Sequence, residues 1–169
     1  MSEDPLRQSF LEAMSRAATT VNVVTTDGPA GRAGVTVSAM ASVSADTERP
    51  TLLVCLYHKV SAVDPIRENG TFCVNVLRED QARISDAFAG RVPDLASRFD
   101  AGAWHDTSLG VPRLDGAVCS FVCRIDAAQL VGTHYVVFGA VEEVVLGAPG
   151  KPLVHANRGY ASPLALDGH

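Results

Sequence analysis

A run of small and hydroxyl-bearing residues between positions 35 and 44 is the first feature of the sequence that could support binding chemistry. Its hydroxyls recur at Thr36, Ser38, Ser42 and Ser44. Buried hydroxyls need hydrogen-bond partners, so a strand with this face is poorly suited to a core. Small side chains would let a flat ligand approach the backbone and bond to its amides. The same alternation is also typical of an ordinary solvent-facing strand, and the pattern alone leaves both interpretations open.

The segment from Tyr57 to Ser61 follows an apolar strand and precedes a predicted helix. Helix N-termini present unpaired amides and a partial positive charge, which suits phosphate. Lys59 would add a cation and Ser61 a hydroxyl. The alternative is that Ser61 only caps the helix and Lys59 is solvated.

Four more polar or aromatic residues stand at positions where a ligand could meet them: Asn75, His134, Arg158 and Tyr160. Asn75 lies within an apolar strand, so its amide must bond either a neighbouring loop or a ligand. His134 could stack on a nicotinamide or move a proton, although a lone histidine is more often structural. Arg158 could meet a phosphate and Tyr160 could cover a ring, unless both belong to a surface turn.

Several common catalytic motifs are missing from the sequence. It has no Gly-x-Gly-x-x-Gly after a strand, no Gly-Lys-Ser/Thr loop, no Gly-x-Ser-x-Gly elbow and no His-Glu-x-x-His pair. Hydrolase and doubly wound dinucleotide-binding interpretations are disfavoured accordingly. Three arginines, Arg32, Arg91 and Arg98, could reach a cofactor tail, but the sequence does not place them.

Charge and cysteine usage narrow the class of protein further. The chain has 169 residues, a formal net charge of −5 and a sequence pI near 5.4. Nucleic acid and anionic membranes need a basic footprint, so neither is expected as the main partner. The N-terminus lacks the pattern of a secretory signal, and no apolar run is long enough for a transmembrane helix. The four cysteines match no zinc spacing, so no metal site is expected and reduced thiols in a cytoplasmic protein are favoured.

The pattern of elements predicts a mainly β protein with short helices, in a single domain over residues 1–169. Asp4 and Pro5 predict a helix over about 5–18, and the Asp27-Gly28 turn predicts a hairpin. Other short helices are predicted at 61–68, 81–89 and 95–99. Strands are predicted at 21–26, 34–38, 51–57, 71–77, 117–130 and 133–146, with a short one near Leu153. Because these strands do not alternate with long helices, a closed or split antiparallel barrel is favoured over a parallel sheet.

Taken in order, several short segments make the chain resemble the short-chain flavin reductase family. The resemblance runs from Phe10 to about Leu164. Its most specific stretches are 25–34, Thr36-Val37-Ser38-Ala39 with 42–44, Val74-Asn75-Val76-Leu77 with Gln81, Phe88-Ala89-Gly90, Gly132-Thr133-His134 and Arg158-Gly159-Tyr160. The family includes reductase components of aromatic monooxygenases and the flavin reductase of pyrimidine utilisation. Its fold, the FMN-binding split barrel with Greek-key topology, is the fold implied for this chain.

The resemblance implies a role for each matching residue. Thr36, Val37, Ser38 and Ala39 would line the isoalloxazine edge, and Lys59 and Ser61 would hold the flavin phosphates. Asn75, Val76 and Leu77 would contact the ring and ribityl chain, and Phe88, Ala89 and Gly90 would border the flavin tail. His134 would contact the nicotinamide with Tyr160 nearby, and Arg158 is included among the cofactor-binding residues. Many members have Gly-Asp-His where this chain has Gly132-Thr133-His134, and a Pro-Pro pair where it has Arg49-Pro50-Thr51.

The implied function is hydride transfer from NADH or NADPH to FAD or FMN, with free reduced flavin passing to a separate monooxygenase. The family is usually homodimeric, with each site near the subunit interface. The alternative is a related split-barrel protein that binds flavin without turnover or reduces another bound substrate.

Overall fold

The computed structural model describes residues 4–168 as an antiparallel β structure with three short helices. Residues 1–3, the start of the segment in which no secretory signal is predicted, and residue 169 lie outside this range. The helices are α1 (Pro5–Arg16), α2 (Val63–Asn69) and α3 (Ala82–Phe88), with a 3₁₀ turn at Arg98–Ala101. The strands are β1 (Thr19–Thr20), β2 (Asn22–Thr26), β3 (Ala33–Val37), β4 (Met40–Ser44), β5 (Thr51–Tyr57), β6 (Thr71–Val76), β7 (Trp104–Asp106), β8 (Pro112–Leu114), β9 (Cys119–Val131), β10 (His134–Leu146), β11 (Val154–Ala156) and β12 (Gly159–Ala161).

The main sheet has seven strands in the order β3-β2-β6-β9-β10-β5-β4. Its two edge strands, β3 and β4, are consecutive in the chain and are separated only by Ser38 and Ala39. A sheet whose opposite edges are joined by so short a link must curl until those edges meet. The result is the predicted split barrel, and we call the line where β3 and β4 meet the seam.

The long hairpin of β9 and β10 forms the far side of the barrel from the seam. Its register shifts between Phe138 and Gly139 and again between Val141 and Glu143, which bends the strands. A Cβ added to Gly139 would stand 2.6 Å from the ring of Phe72. Glycine at this bend therefore makes room for a core aromatic side chain.

Two buried clusters support the seam. The first fills the barrel and includes Val54, Leu56 and Phe72. The second lies between the sheet and α3, where the ring of Phe88 stands 5.1 Å from Phe99 and 5.3 Å from Trp104. Tilted and edge-on aromatic pairs of this kind hold the end of α3 against the 3₁₀ turn and β7.

Most predicted elements are present, but some boundaries and strands differ. Helix α1 begins after an Asp4 cap as predicted but ends at Arg16, and α2 begins at Val63 without a side-chain cap, so Ser61 is not its N-cap. The helix predicted at 95–99 is a 3₁₀ turn three residues later. The sequence does not predict β1, β7, β8 and β12, because strands of two or three residues are too short to show a clear alternation. Strand β4 lies within the strand-like run at 35–44, but the structure interrupts that run at Ser38 and Ala39.

Within residues 4–168, no helix is both long and apolar enough to cross a bilayer. The four cysteines are free thiols. Burial raises the pKa of Cys73 far above its ordinary value and raises the pKa of Cys123 to about 12.

Candidate functional site

At the seam, backbone groups are exposed that elsewhere in the sheet are paired between strands. Strand β3 is an edge strand, so its outer side pairs with no other strand of the main sheet. Ser38 and Ala39, which cross the seam, are both exposed. The Ala39 carbonyl accepts a hydrogen bond from the Cys55 amide at 3.0 Å, which fixes the crossing against β5. Small side chains and free backbone groups here suit a flat ligand with polar edges.

On one side of the seam lies a cleft of about 220 Å³, which we call the α3 cleft. Its lining is Val21, Thr36, Val37, Ser38, Ser85, Ala89, Arg91, His155 and Tyr160. The Thr36 hydroxyl donates to the Ser85 carbonyl at 2.7 Å and ties β3 to α3. The cleft is therefore bounded by strand backbone on one wall and by the aromatic side chains of β11 and β12 on the other.

Tyr160 is held at this cleft by its hydroxyl. The Tyr160 oxygen lies 2.8 Å from the Ser85 hydroxyl and 2.7 Å from Asp86 Oδ1. Arg91 pairs with the same Asp86 oxygen at 3.2 Å. Burial raises the pKa of Tyr160, the bond with Ser85 lowers it, and the bond and charge of Asp86 raise it. The phenol therefore stays protonated and keeps its role as a hydrogen-bond donor near neutral pH.

On the other side of the seam lies a cleft of about 190 Å³, the His134 cleft. Its lining is Val35, Thr36, Val37, Ser38, Ala39, Cys55, Tyr57, Val60 and His134. The pairing of β10 with β5 places His134 opposite Tyr57, and their ring centroids are 5.4 Å apart. His134 Nδ1 lies 3.0 Å from the Thr133 hydroxyl, which leaves Nε2 for another partner.

A third cleft, of about 210 Å³, continues along the start of β3, and we call it the arginine cleft. It is lined by Arg32, Ala33, Gly34, Ser61, Ser97, Arg98 and Phe99. Arg98 Nη1 donates to the carbonyls of Phe88 at 3.1 Å and Gly34 at 3.4 Å. Arg32 pairs with Asp27 at 2.9 Å and Asp106 at 3.0 Å. Two guanidinium groups and two hydroxyls around one depression form a donor set that suits phosphate.

Each of the three clefts is smaller than the usual pocket for a drug-sized ligand, roughly 300–1,000 Å³. The first two share Thr36, Val37 and Ser38, and the third begins at the residues just before Val35. The three clefts therefore follow one another along β3, and we call them together the groove. Such a groove can hold an extended molecule with a planar ring at the seam and a phosphate at the arginine cleft.

The structure brings together many of the residues that the sequence singled out. Thr36, Val37, Ser38, Ala39, Ser61, Ala89, His134 and Tyr160 all line the groove. Lys59 is exposed in the turn between Tyr57 and Val60, two residues that line the His134 cleft. Gly90 is exposed and follows Ala89 with a left-handed φ of 76°.

Asn75 lies inside the fold, apart from the lining of the three clefts. Its side chain is fully buried and does not line the groove. Its amide nitrogen donates to the Val23 carbonyl at 3.0 Å, and its oxygen accepts from the Leu114 amide at 2.8 Å and the Ser120 hydroxyl at 3.1 Å. These bonds give the amide a structural role, which is the internal alternative that the sequence left open.

Three other predicted residues lie behind the groove, and one lies apart from it. Val76, Leu77 and Phe88 are buried and pack in the core. Arg158 is exposed, has a left-handed φ of 61°, and pairs with Glu12 of α1 at 2.8 Å. This pairing fastens the β11–β12 hairpin to α1 and leaves Arg158 outside the lining of the three clefts.

Several residues that line the groove were not singled out in the sequence, and two of them, Ser85 and His155, contact Tyr160. Ser85 is an ordinary serine in a helix, and its place depends on contacts with Thr36 and Tyr160, which are distant in the chain. His155 lies on β11, whose pairing with β1 brings together residues at opposite ends of the sequence. A local pattern carries no signal for either position.

Comparison with known proteins gives this arrangement a context. The family model of the flavin reductase like domain matches residues 14–163. An FMN reductase (NADH), RutF 1 of Methylorubrum extorquens, is 45% identical over 152 residues, which cover 90% of this chain and 74% of that protein. A solved structure from Haemophilus somnus 129PT, described as a flavin reductase, has 34% identity and a TM-score of 0.85, with 92% and 98% of the two chains covered. BorF, the flavin reductase component of a bacterial two-component tryptophan halogenase, has 28% identity and a TM-score of 0.82, with 92% and 97% covered.

Proposed function

Because the chain belongs to the flavin reductase like family, we propose that it transfers a hydride from NADH to free FAD or FMN and releases the reduced flavin to a separate monooxygenase. The observation that carries this proposal is the groove along β3. It combines free strand backbone, an aromatic side chain on each side of the seam and a cationic end.

The groove fits a flavin by its chemistry. We place the isoalloxazine ring along Thr36, Val37, Ser38 and Ala39, where small side chains allow the ring edge to reach backbone amides. Tyr160 would bound the ring on the α3 side. Amides aimed at the ring edge would stabilise the negative charge that reduction brings to it.

The arginine cleft fits the flavin phosphate. Ser61, Arg32 and Arg98 line it, and Lys59 lies on the turn that leads into it. The ion pairs of Arg32 with Asp27 and Asp106 leave its charge partly neutralised, whereas no carboxylate pairs with Arg98 among the described residues. Arg98 is therefore the stronger anchor for an anion.

We place the nicotinamide on the His134 side of the seam. The dinucleotide supplies a hydride from its C4 atom and the flavin accepts it at N5, so the reaction itself belongs to the two cofactors. The chain's own contribution is to hold both rings in near-attack geometry and to exclude water. His134 and Tyr57 would bound the nicotinamide ring, and no side-chain base is required.

The remaining predicted residues have supporting places in this proposal. Ala89 and Gly90 would lie along the flavin tail at the end of α3. Asn75, Val76, Leu77 and Phe88 would support β3 and its neighbours from behind without touching the ligand. Arg158 would act by fastening the hairpin that carries Tyr160.

The proposal is tested by following NADH oxidation with purified protein and FAD, FMN or no flavin, with NADPH as the alternative donor. Saturable oxidation that requires flavin supports a reductase and shows which flavin is preferred. Tight flavin binding without turnover would indicate a flavin-binding protein. Neither binding nor turnover in a folded sample would overturn the assignment of the groove.

We also propose that the chain forms a homodimer. Helix α1 has no buried residue, and its apolar face leaves Leu6 75% and Phe10 61% exposed. Val144 and Leu146 on β10 are also exposed. Apolar patches of this kind mark association surfaces. Light scattering after size-exclusion chromatography measures the mass directly, and a monomer at micromolar concentration would contradict the proposal.

We further propose that residues 1–169 form one domain and that the protein acts in the cytoplasm. Seven strands drawn from residues 22 to 146 share one sheet, which supports a single folding unit. Four free thiols suit a reducing compartment.

A further inference from the structure

Ser85 joins the two walls of the α3 cleft. Its side chain is buried, with 1% of its surface exposed. Its carbonyl accepts the Thr36 hydroxyl of β3 at 2.7 Å, and its own hydroxyl lies 2.8 Å from the Tyr160 hydroxyl of β12. One residue of α3 therefore connects the strand backbone on one wall with the aromatic ring on the other.

The pairing of Arg158 with Glu12 fastens the backbone of the β11–β12 hairpin to α1, whereas few contacts fix the Tyr160 ring itself. Strand β12 belongs to a separate three-stranded sheet and pairs only with β11. Tyr160 is 37% exposed, and its ring meets His155 edge-on with centroids 6.3 Å apart. The position of the ring is thus set mainly by the bonds of its hydroxyl.

We propose that Ser85 is a positioning residue that sets the width of the α3 cleft and holds Tyr160 against the flavin ring. The inference rests on the proposed function, because it takes the flavin as the occupant of the seam. Ser85 would act through Tyr160 and Thr36 and would take no part in the transfer of the hydride.

The chemistry of the partners fixes the direction of these hydrogen bonds. A phenol has one proton, and an ionised carboxylate can only accept. Tyr160 therefore gives its proton to Asp86, 2.7 Å away, and the Ser85 hydroxyl donates to Tyr160. The directions of the pKa effects on Tyr160 agree, since the bond with Ser85 lowers its pKa and the bond with Asp86 raises it.

The test is a double-mutant cycle on Ser85→Ala and Tyr160→Phe, with flavin affinity measured by fluorescence titration in the absence of NADH. Ser85→Ala removes one hydrogen bond, so we expect flavin binding to weaken by roughly three- to tenfold. Tyr160→Phe keeps the ring but loses the bonds to Ser85 and Asp86, so its effect is at least as large. Adding Ser85→Ala to Tyr160→Phe should then change binding by less than about twofold, because the shared bond is already gone.

Steady-state kinetics separate positioning from general damage. We expect the KM for flavin to rise in both variants, while the KM for NADH and kcat at saturating flavin stay near wild type. Ser108→Ala and Tyr135→Phe are matched controls outside the groove and should leave all these constants unchanged. Thermal unfolding of each variant shows whether it is folded. If Ser85→Ala does not fold, the flavin affinity of Tyr160→Phe alone tests the inference.

The outcomes distinguish this inference from the proposed function. Wild-type protein that binds no flavin would overturn the proposed function and this inference with it. Wild-type binding with unchanged flavin affinity in Tyr160→Phe would overturn this inference alone. The inference would also be overturned if the fold-losses in flavin affinity of the two single variants multiplied in the double variant. A rise in the KM for NADH as large as the rise in the KM for flavin would overturn it as well.

Discussion

Replacing Asn75 by leucine tests whether this buried amide supports the fold or binds the ligand. Leucine has a similar volume but leaves the Leu114 amide and the Ser120 hydroxyl without the oxygen that now lies 2.8 and 3.1 Å away. Each buried polar group left without a partner costs about 1–3 kcal/mol. We therefore expect the free energy of unfolding to fall by about 2–6 kcal/mol, with a decrease in Tm of roughly 4–24 °C for a domain of this size.

The assay for Asn75→Leu is urea denaturation followed by the fluorescence of the chain's one tryptophan, Trp104, which lies against the core. Flavin affinity is measured on the same folded samples and should stay within about twofold of wild type, a change of less than half a kcal/mol. Gln129→Leu is the matched control, because Gln129 is exposed on β9 and its loss should leave stability unchanged.

Two results would refute this reasoning about Asn75. Unchanged stability of Asn75→Leu would mean that its hydrogen bonds contribute nothing. Flavin binding weakened tenfold in a stably folded variant would mean that the amide contacts the ligand, as the family resemblance implied.

Three further predictions concern the groove itself. Gly34→Ala should destabilise the protein by about 1–3 kcal/mol, because the new Cβ would stand 2.6 Å from the Phe88 ring, whereas Gly159→Ala meets nothing within 4 Å and should be neutral in the same thermal melt. Equal melts for the two variants would contradict the packing argument. His134→Ala should raise the KM for NADH by roughly two- to tenfold, the range for one lost aromatic contact, and leave flavin affinity unchanged. Equal losses in both constants would contradict its place on the nicotinamide side. Burial raises the pKa of Cys55, so its alkylation should be slow at neutral pH, accelerate as rising pH forms the thiolate, and be blocked by flavin. Cys55 lines the His134 cleft, so alkylation that is slowed neither by flavin nor by flavin together with NAD+ would place both rings away from the seam.

Local pattern was sufficient for most of the fold because the main elements are repetitive. The Asp27-Gly28 turn, the apolar strand β5 and the long β9–β10 hairpin all match their predictions closely. The start of α2 does not, since helices can begin without a side-chain cap and Ser61 faces the arginine cleft instead. The long strands of the main sheet are thus specified largely by short-range turn signals and β-branched runs.

The site was harder to predict because a polar residue in an apolar strand has the same pattern whether it faces a ligand or the interior. The Leu114 and Ser120 partners of Asn75 lie 39 and 45 residues away in the chain. Ser85 and Tyr160 are 75 residues apart. Such pairings follow from the topology of the folded sheet, and no local window of sequence contains them.

The link between β3 and β4 constrains how this molecule can vary. Ser38 and Ala39 are the whole length of chain between the two edges of the main sheet. An inserted residue would widen the seam and move β4 by one position against β5, which would turn its inward side chains outward. Most surface loops accept insertions with little loss. The link between β3 and β4 therefore tolerates substitution of Ser38 and Ala39 more readily than insertion of a further residue.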